Sequence, residues 1–540
     1  MRLGARVGRL AAGLLVAAIV AFALPARLPG GTENGLLGTR VGDPIARLDL
    51  RQDLHLDRAL PARFVGFTVD ALHGDLGRSP VSGVDVGVVV GERLVESAAL
   101  AAAAVALAFL ISASRRRASR RRKRSRDDTP IPSAVHGALW VLPLLGAVVV
   151  ARQFGAIPAP GPHSALATRA AASLLPAAAL GTGLAAWTAV GRRTRRDLLA
   201  AVLVGTLVTE ALYGVPGLGT LLADSAARGD LLMVRGTLFV LFGAAVVAGV
   251  VLLPVDSTGA DISAGPSTRR RAAGGTVATI WVAALVGATI VRVHLGLAPA
   301  GRLGSRVGAG VSTQHPFGTD ALGRDVLARV LATARGSLLI VVAAMVIATL
   351  AGTAIGVFVG FVGGRLERLA LAGLAGWAAF PGELVAVALL AFNGRDGRRA
   401  AIALSVVAIP AIAFGAQRRT LDALTRSEGD AGLASGAWLR NVGSRATSGV
   451  WRATLATVFV GASRVLVVEL VAGFLGFGPA ATQTWSREIA MQFAFVSRAP
   501  LAVLAPVSVA LVTATALAGL GNAIRPARTP PRDDLSGRHA

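Results

Sequence analysis

The chain has 540 residues, of which 54% are hydrophobic and only 16% are charged, with a formal net charge of +25. The charged fraction is well below the roughly 25% of a soluble domain, and the apolar residues form nearly uncharged blocks of about 18–25 residues, long enough to cross a bilayer. The composition therefore excludes an ordinary soluble enzyme and a disordered chain. Because the chain has no cysteine, disulfides and thiolate metal sites are excluded as well.

Twelve apolar blocks predict twelve transmembrane helices, six in each half of the chain. Helices are favoured over barrel strands because the blocks lack the alternating pattern of barrel strands. The first six blocks are Leu10–Leu24, Val88–Ser112, Val135–Val150, Ala170–Gly191, Leu198–Tyr213 and Val234–Val255. The second six are Thr276–Val293, Leu338–Val362, Leu369–Phe392, Ala400–Ala416, Ala453–Phe474 and Leu501–Leu520. The predicted fold class is an all-α polytopic membrane protein.

Basic residues mark one side of the membrane. Arg115–Arg126 holds nine basic residues, Arg192–Arg196 holds four and Arg269–Arg271 holds three. Basic segments beside spans stay cytoplasmic, which predicts a multi-pass protein of the bacterial plasma membrane with both termini in the cytoplasm. The basic start followed by an apolar run also fits a cleavable signal peptide. A retained first span is preferred because it keeps the two halves equal.

The basic run also bears on partners. Arg115–Arg126 lies between two spans and contains no aromatic side chain on which bases could stack. We therefore expect it to contact anionic membrane lipid, with no nucleic acid as partner.

The two halves contain an internal repeat near their fifth spans. In each half a glutamate is followed by glycines at +4, +7 and +9: Glu210 with Gly214, Gly217 and Gly219, and Glu469 with Gly473, Gly476 and Gly478. A second echo pairs HGDLGRS, from His73, with GTDALGRDV, from Gly318, just before the second span of each half. Because each half has six spans, both halves insert with the same orientation, which predicts a parallel repeat around a central path.

The glutamates and glycines of this repeat are candidates for an external turn or gate. The glycines continue past the predicted span end, which favours a tight or re-entrant external turn over simple helix packing. An acid inside a span suggests a functional role. The alternative for Glu210 and Glu469 is a carboxylate that snorkels to the outer interface or caps a helix end.

Several kinds of chemistry are absent from the sequence. The phosphate-binding loop of ATPases needs a glycine before its lysine, but the only lysine, Lys123, follows Arg122. The seven histidines do not form an HExxH pair. We therefore predict a protein that is not an enzyme and that binds no metal or cofactor, so any ATP is used by other subunits.

The motifs together resemble a known family, the membrane permeases of ATP-binding-cassette importers of the dipeptide, oligopeptide and nickel class. Residues 1–271, with an external loop at 27–87, resemble one subunit type through LHLDRALP, HGDLGRS and VTEALYGVPGLG. Residues 272–540, with an external loop at 295–336, resemble the partner subunit through HPFGTDALGRDV, AFPG and the segment from Glu469 to Trp485. The resemblance implies a type I importer architecture with two fused subunits.

The resemblance also implies a cytoplasmic coupling loop at 418–450 that docks on the ATPase. The family pattern is Glu-Ala-Ala, three residues, then Gly, and Asp430, Ala431, Gly432 and Gly436 fit its spacing, with Trp438 as an apolar plug. The corresponding loop of the first half, Arg192–Arg196, is too short for this motif. Either the transporter therefore couples asymmetrically through the second half, or its complex is unconventional or degenerate.

The resulting hypothesis is a permease that forms the path for peptides or similar small solutes. Its partners would be separate ATPase subunits and an extracytoplasmic solute-binding protein. One alternative is an ion-coupled twelve-span secondary transporter, with Glu210 and Glu469 as its acids. Another is a membrane-embedded transferase that uses the acids of the loop at 27–87.

Overall fold

A computed structural model describes most of the second half of the chain and part of the first. The described stretches are 59–79, 81–121, 195–228, 230–252, 268–294, 307–308, 310–362, 382–393, 396–429, 438–479 and 481–524, with isolated positions in 14–22, 176–184 and 370–374. The predicted block Val135–Val150 lies outside the described residues. The blocks Leu10–Leu24 and Ala170–Gly191 are described only at scattered helical positions.

The described residues form helices and short turns, with two isolated β-bridges as their only strand-like pairing. The helices of the first half are α1 (Leu60–Leu72), α2 (Val86–Arg121), α3 (Arg195–Tyr213), α4 (Leu218–Ala227) and α5 (Leu231–Leu252). Those of the second half are α6 (Thr268–His294), α7 (Val326–Phe361), α8 (Gly382–Asn393), α9 (Gly397–Ser405), α10 (Ile409–Gly429), α11 (Trp438–Phe474), α12 (Trp485–Phe493) and α13 (Pro500–Ile524).

Four of these helices are long and apolar enough to cross a membrane: Val86–Ser114, Val326–Phe361, Arg452–Phe474 and Pro500–Ile524. Two bent pairs raise the number to as many as six, if each pair forms one broken span. Helices α5 and α6 contain shorter apolar stretches. The protein is therefore a helical, multi-pass membrane protein.

One predicted span is broken in the structure, and another is followed by a short helix at a sharp angle. The block Ala400–Ala416 is split into α9 and α10, which meet at an angle of 51°. Pro410 is the second residue of α10, a position that proline tolerates because the first helical N–H groups have no intrahelical partner. The block Leu198–Tyr213 forms α3, which meets α4 at 68° across the glycine turn.

Helix starts differ most from the sequence-based prediction at α7. The predicted block began at Leu338 because Arg329 and Arg335 interrupt the apolar run, but the helix begins twelve residues earlier, at Val326. Asp325 caps it, since its side chain accepts a hydrogen bond from the Ala328 N–H at 2.6 Å. The last part of the predicted loop at 295–336 is therefore helical.

Two other predicted loops also contain helix. The loop at 27–87 contains α1. The segment 418–450 is helical at both ends, because α10 continues to Gly429 and α11 begins at Trp438.

Two helices pack closely where the sequence has glycines four residues apart. A Cβ added at Gly352, Gly356 or Gly360 of α7 would overlap atoms of α10. Small residues at this spacing let two helix backbones approach closely in a membrane. The apolar core runs through both halves, and α8 contacts α3 and α4 of the first half as well as α11 of the second.

Candidate functional site

In the first half, Glu210 is the centre of a buried polar cluster. It lies on α3 and is 0% exposed. The Ser97 hydroxyl on α2 donates to its Oε1 at 2.5 Å, and the Gly219 N–H donates to its Oε2 at 2.6 Å. Ser97 in turn accepts the Leu218 N–H at 2.8 Å. Since Leu218 and Gly219 are the first two residues of α4, the carboxylate and the serine together satisfy the start of that helix.

The glycines after Glu210 make room for this carboxylate. A Cβ at Gly217 would overlap the Glu210 carboxyl group, and one at Gly219 would come within 2.9 Å of its Oε2. Gly214 has φ +68°, a conformation that side-chain-bearing residues rarely adopt. All three glycines are therefore required by the turn between α3 and α4, two for space and one for backbone conformation.

The second half contains a similar cluster around Glu469, with two serines where the first half has one. This residue lies on α11 and is 2% exposed. The Ser486 hydroxyl donates to its Oε1 at 2.5 Å, and the Ser337 hydroxyl on α7 lies 3.4 Å from its Oε2. Ser337 also accepts the Trp485 N–H at 3.0 Å. Trp485 and Ser486 are the first two residues of α12.

The glycines of the second half lie in the equivalent turn, between α11 and α12, but make different contacts there. A Cβ at Gly473 would overlap the Ser486 side chain, and Gly478 packs against Gly473. The positive φ, +87°, is at Gly476. The conformational requirement therefore moves from the +4 glycine of the first half to the +7 glycine here.

The two clusters correspond position by position. Ser97 and Ser337 each lie eleven residues after the first residue of their helix, α2 or α7. Each serine accepts the N–H of the first residue of a short helix, α4 or α12. The second residue of that helix donates to the glutamate, through a backbone N–H at Gly219 and through a hydroxyl at Ser486. The sequence analysis missed both serines, which follow no recognisable spacing.

This geometry favours helix capping over the other roles considered for the two acids. Burial excludes snorkelling to an interface, because Glu210 and Glu469 are almost inaccessible. Their oxygens accept hydrogen bonds from the start of the following short helix or from a residue within it. The arrangement holds two helices and a turn together.

The segments before α2 and α7 also form matching turns. Each is closed by a β-bridge, Arg78 with Asp85 and Thr319 with Asp325. The first N–H of the helix donates to a glycine carbonyl, from Val86 to Gly77 at 2.9 Å and from Val326 to Gly318 at 3.2 Å. Gly318 therefore supplies the carbonyl that Gly77 supplies in the first half. The Leu-Gly-Arg letters that the two sequence segments share align Gly77 with Gly323 instead.

A second polar cluster, which the sequence analysis did not predict, ties the turn before α7 to α12. Buried Asp320 accepts from Arg324 Nε at 2.7 Å and from Gln492 Nε2 at 3.1 Å. Arg329 donates from Nε to Glu488 Oε1 at 2.6 Å and pairs through Nη2 with Oε2. The cluster balances two acids with two arginines, which allows their burial.

The predicted coupling residues Asp430, Ala431, Gly432 and Gly436 lie outside the described residues. The backbone of Trp438 is described as the start of α11. Within the described residues no group of three or more His, Asp or Glu side chains could hold a metal ion.

Comparison with known proteins identifies the family. The chain is 30% identical over 226 residues to the dipeptide transport system permease protein of Alkalihalophilus pseudofirmus, covering 41% of this chain and 73% of that protein. It is 31% identical over 227 residues to the glutathione transport system permease protein of Shigella dysenteriae, covering 41% and 74%. It is 29% identical over 216 residues to the di/tripeptide transport system permease protein of Pseudomonas aeruginosa, covering 40% and 71%. No family model matches the chain.

These relatives are permease components, which favours that role over the ion-coupled secondary transporter. Each alignment covers about two fifths of this chain, so the relatives match only part of its length. The chain belongs to the family of peptide-type permeases of ATP-binding-cassette transport systems.

Proposed function

We propose that this permease consists of two fused subunits that together form the path for peptides or similar small solutes. The observation that carries the proposal is the repeated cluster of serine, glutamate and short-helix start, around Glu210 in one half and Glu469 in the other. Two copies of one local structure in one chain support a duplicated architecture. The glycine ladders at equal offsets support it independently.

In this proposal the chain has twelve spans arranged as two parallel six-helix repeats, with both termini in the cytoplasm. The basic segments between spans support this orientation. The turns after Glu210 and Glu469 then lie on the external side and shape the outer end of the path. A solute-binding protein would deliver the solute there.

ATP hydrolysis by separate subunits would drive the change between inward-open and outward-open states. Such a change needs a partner with different affinity for the two states, and the ATP-bound motor pair would supply it. We propose the segment from Asp430 to Gly436 as the docking site, between the described ends of α10 and α11. Because the Arg192–Arg196 segment is so short, coupling would be asymmetric and pass through the second half.

The docking proposal is tested by a charge and volume change at one glycine. Gly436→Arg should lower co-purification with the ATPase subunits while membrane insertion stays intact. Gly310→Arg is the matched control, because a side chain at Gly310 meets nothing within 4 Å and its segment is predicted on the opposite side. Equal co-purification of Gly436→Arg and the unmodified chain would contradict docking at this segment.

The transport proposal is tested in proteoliposomes that contain the assembled transporter. We expect peptide uptake to require ATP and the ATPase subunits. Accumulation driven by an ion gradient alone, without ATPase subunits, would instead support the secondary transporter.

A further inference from the structure

Two arginines meet a group of aromatic rings where α1 crosses α5. The Arg235 guanidinium lies 4.4 Å from the centre of the Phe67 ring, and the Arg63 guanidinium lies 6.0 Å from that of Phe22. In the described part of the chain, neither guanidinium forms an ion pair or a hydrogen bond, and the Nε of Arg235 is buried without a partner. Because the rings offer no acceptor oxygen, N–H donors of both side chains remain available to an anion.

The charges at this crossing do not balance. Arg63 repels Arg235, and Asp70, an exposed residue of α1, attracts it. Two arginines and one acid leave one positive charge without compensation. A charge that is partly withdrawn from water is costly unless it is paired, so the crossing favours a negatively charged ligand.

The contacts of α1 place it at the boundary of the membrane. The Phe67 and Phe239 rings pack edge to face, with their centres 5.7 Å apart. Phe239 lies eight residues, or about 12 Å, after the start of α5. Since α5 is a predicted span with an apolar stretch at Leu232–Ala248, α1 lies beside the first turns of that span. This is the depth of lipid headgroups and of the first part of the acyl chains.

Helix α1 is apolar on two opposite faces. Phe67 and Ala71 are buried against the protein, whereas Val65, Val69 and Leu72, at i, i+4 and i+7, are exposed. A helix that is apolar on all sides is normally buried on all sides. The segment at 73–85 joins α1 directly to α2, a span of which the protein buries little. Lipid therefore covers α2, and at this depth it can also cover the exposed row of α1.

We propose that α1 lies in the membrane interface and that Arg63 and Arg235 bind the phosphate of an anionic phospholipid there. The planar guanidinium presents its donors in a geometry that matches phosphate. The exposed row of α1 would lie among the acyl chains, as in other interfacial helices. The inference goes beyond the import function proposed above and does not depend on which solute is carried. In the orientation proposed above, the lipid belongs to the outer leaflet.

The first experiment asks whether lipid covers the exposed row. Because the chain has no cysteine, Val69→Cys labelled with bimane gives a single fluorophore in the full chain, reconstituted in phosphatidylcholine vesicles. Phosphatidylcholine with brominated acyl chains quenches from the membrane, and iodide quenches from water. We expect brominated lipid to quench at 69 at least half as strongly as at Leu350→Cys, an exposed apolar position of α7, and Val90→Cys, a fully buried position, to be quenched by neither. Quenching at 69 by iodide alone, or by neither quencher, would overturn the proposal.

The second experiment asks whether the arginines select an anionic headgroup. The bromine is carried either by phosphatidylglycerol or by phosphatidylcholine, at the same mole fraction in the same lipid mixture. We expect phosphatidylglycerol to quench at least threefold more than phosphatidylcholine at 69, with no difference at 350. Arg63→Gln combined with Arg235→Gln should remove this preference while quenching by both lipids persists. Arg228→Gln, at an exposed arginine just after α4, is the matched control. A preference that survives the double variant would overturn the proposal.

A change in the opposite direction separates recognition from loss of structure. Asp70→Asn removes the acid that offsets the arginines, so the preference for phosphatidylglycerol should rise at least twofold, which misfolding would not produce. An unchanged or lower preference would contradict recognition by charge. Inorganic phosphate, compared with chloride at equal ionic strength, should not abolish the preference; if it does, the arginines bind free phosphate and the lipid assignment is wrong. None of these measurements requires transport, so the import proposal is tested separately.

Discussion

Removing the hydroxyl of Ser97 should loosen the start of α4 more than any other change of one atom in the first cluster. This hydroxyl donates to Glu210 and accepts the Leu218 N–H, so Ser97→Ala leaves two buried groups without their partner. An orphaned buried group costs about 1–3 kcal/mol, with more for a charged one. Because Glu210 keeps its hydrogen bond from the Gly219 N–H, we expect the free energy of opening the start of α4 to fall by about 2–3 kcal/mol.

Amide hydrogen exchange measures this loss locally. At 1.4 kcal/mol for each factor of ten, the first amides of α4 should exchange about 30- to 150-fold faster in Ser97→Ala than in the unmodified protein. Ser97→Thr retains a hydroxyl and is the matched control. Ser337→Ala should change exchange at the start of α12 and leave α4 unaffected, with a smaller effect because its hydroxyl lies 3.4 Å from Glu469.

Two results would refute this reasoning. If the amides of Leu218 and Gly219 exchange at the same rate in Ser97→Ala and the unmodified protein, the hydroxyl does not hold the turn. If exchange rises equally throughout α2 and α3, the serine supports the packing of the whole bundle and not the cap of one helix.

Three further substitutions test other contacts. Gly217→Ala should lower the melting temperature, because its Cβ would overlap the Glu210 carboxyl group, whereas Gly91→Ala, with nothing within 4 Å, should not; equal melting temperatures would contradict the packing argument. Gly356→Leu should lower the yield of monodisperse protein in size-exclusion chromatography by forcing α7 away from α10; an unchanged elution profile would count against that contact. Arg329→Gln should lower the free energy of unfolding by about 3–5 kcal/mol, because it leaves Glu488 buried without its ion-pair partner. Limited proteolysis should then cut the turn before α7. Resistance equal to that of the unmodified chain would show that the ion pair is dispensable.

The sequence predicted the elements that depend on local pattern. Long uncharged runs predicted the spans, and the structure has helices over Val86–Ser114, Arg452–Phe474 and Pro500–Ile524 close to the predicted blocks. The glycines after Glu210 and Glu469 predicted a tight turn, since only glycine accommodates both the conformation and the close contacts found there.

The sequence could not predict features that depend on distant residues. The bond between Ser97 and Glu210 joins residues 113 positions apart, and a serine inside an apolar helix has no spacing that would distinguish it. The early start of α7 was missed for the same reason: Arg329 looks like the end of an apolar run until Glu488, 159 positions away, pairs with it. A proline does not by itself predict a helix break, since Pro506 lies inside the continuous helix α13. The break between α9 and α10 therefore depends also on how the start of α10, which contains Pro410, packs against the rest of the protein.

The described parts of the two halves share a scaffold but differ in charge. Both halves bury a glutamate under a glycine turn, yet only the second half adds the cluster around Asp320 and the pair between Glu383 and Arg464. Its short helix also begins sixteen residues after the glutamate instead of eight. A scaffold that is duplicated can carry different charged clusters in its two copies and remain stable, because capping and packing do not depend on those clusters. If the Asp430–Gly436 proposal holds as well, coupling belongs to the half that carries the additional ion pairs, so a conformational change started at the motor would enter that half through one continuous helix, α11.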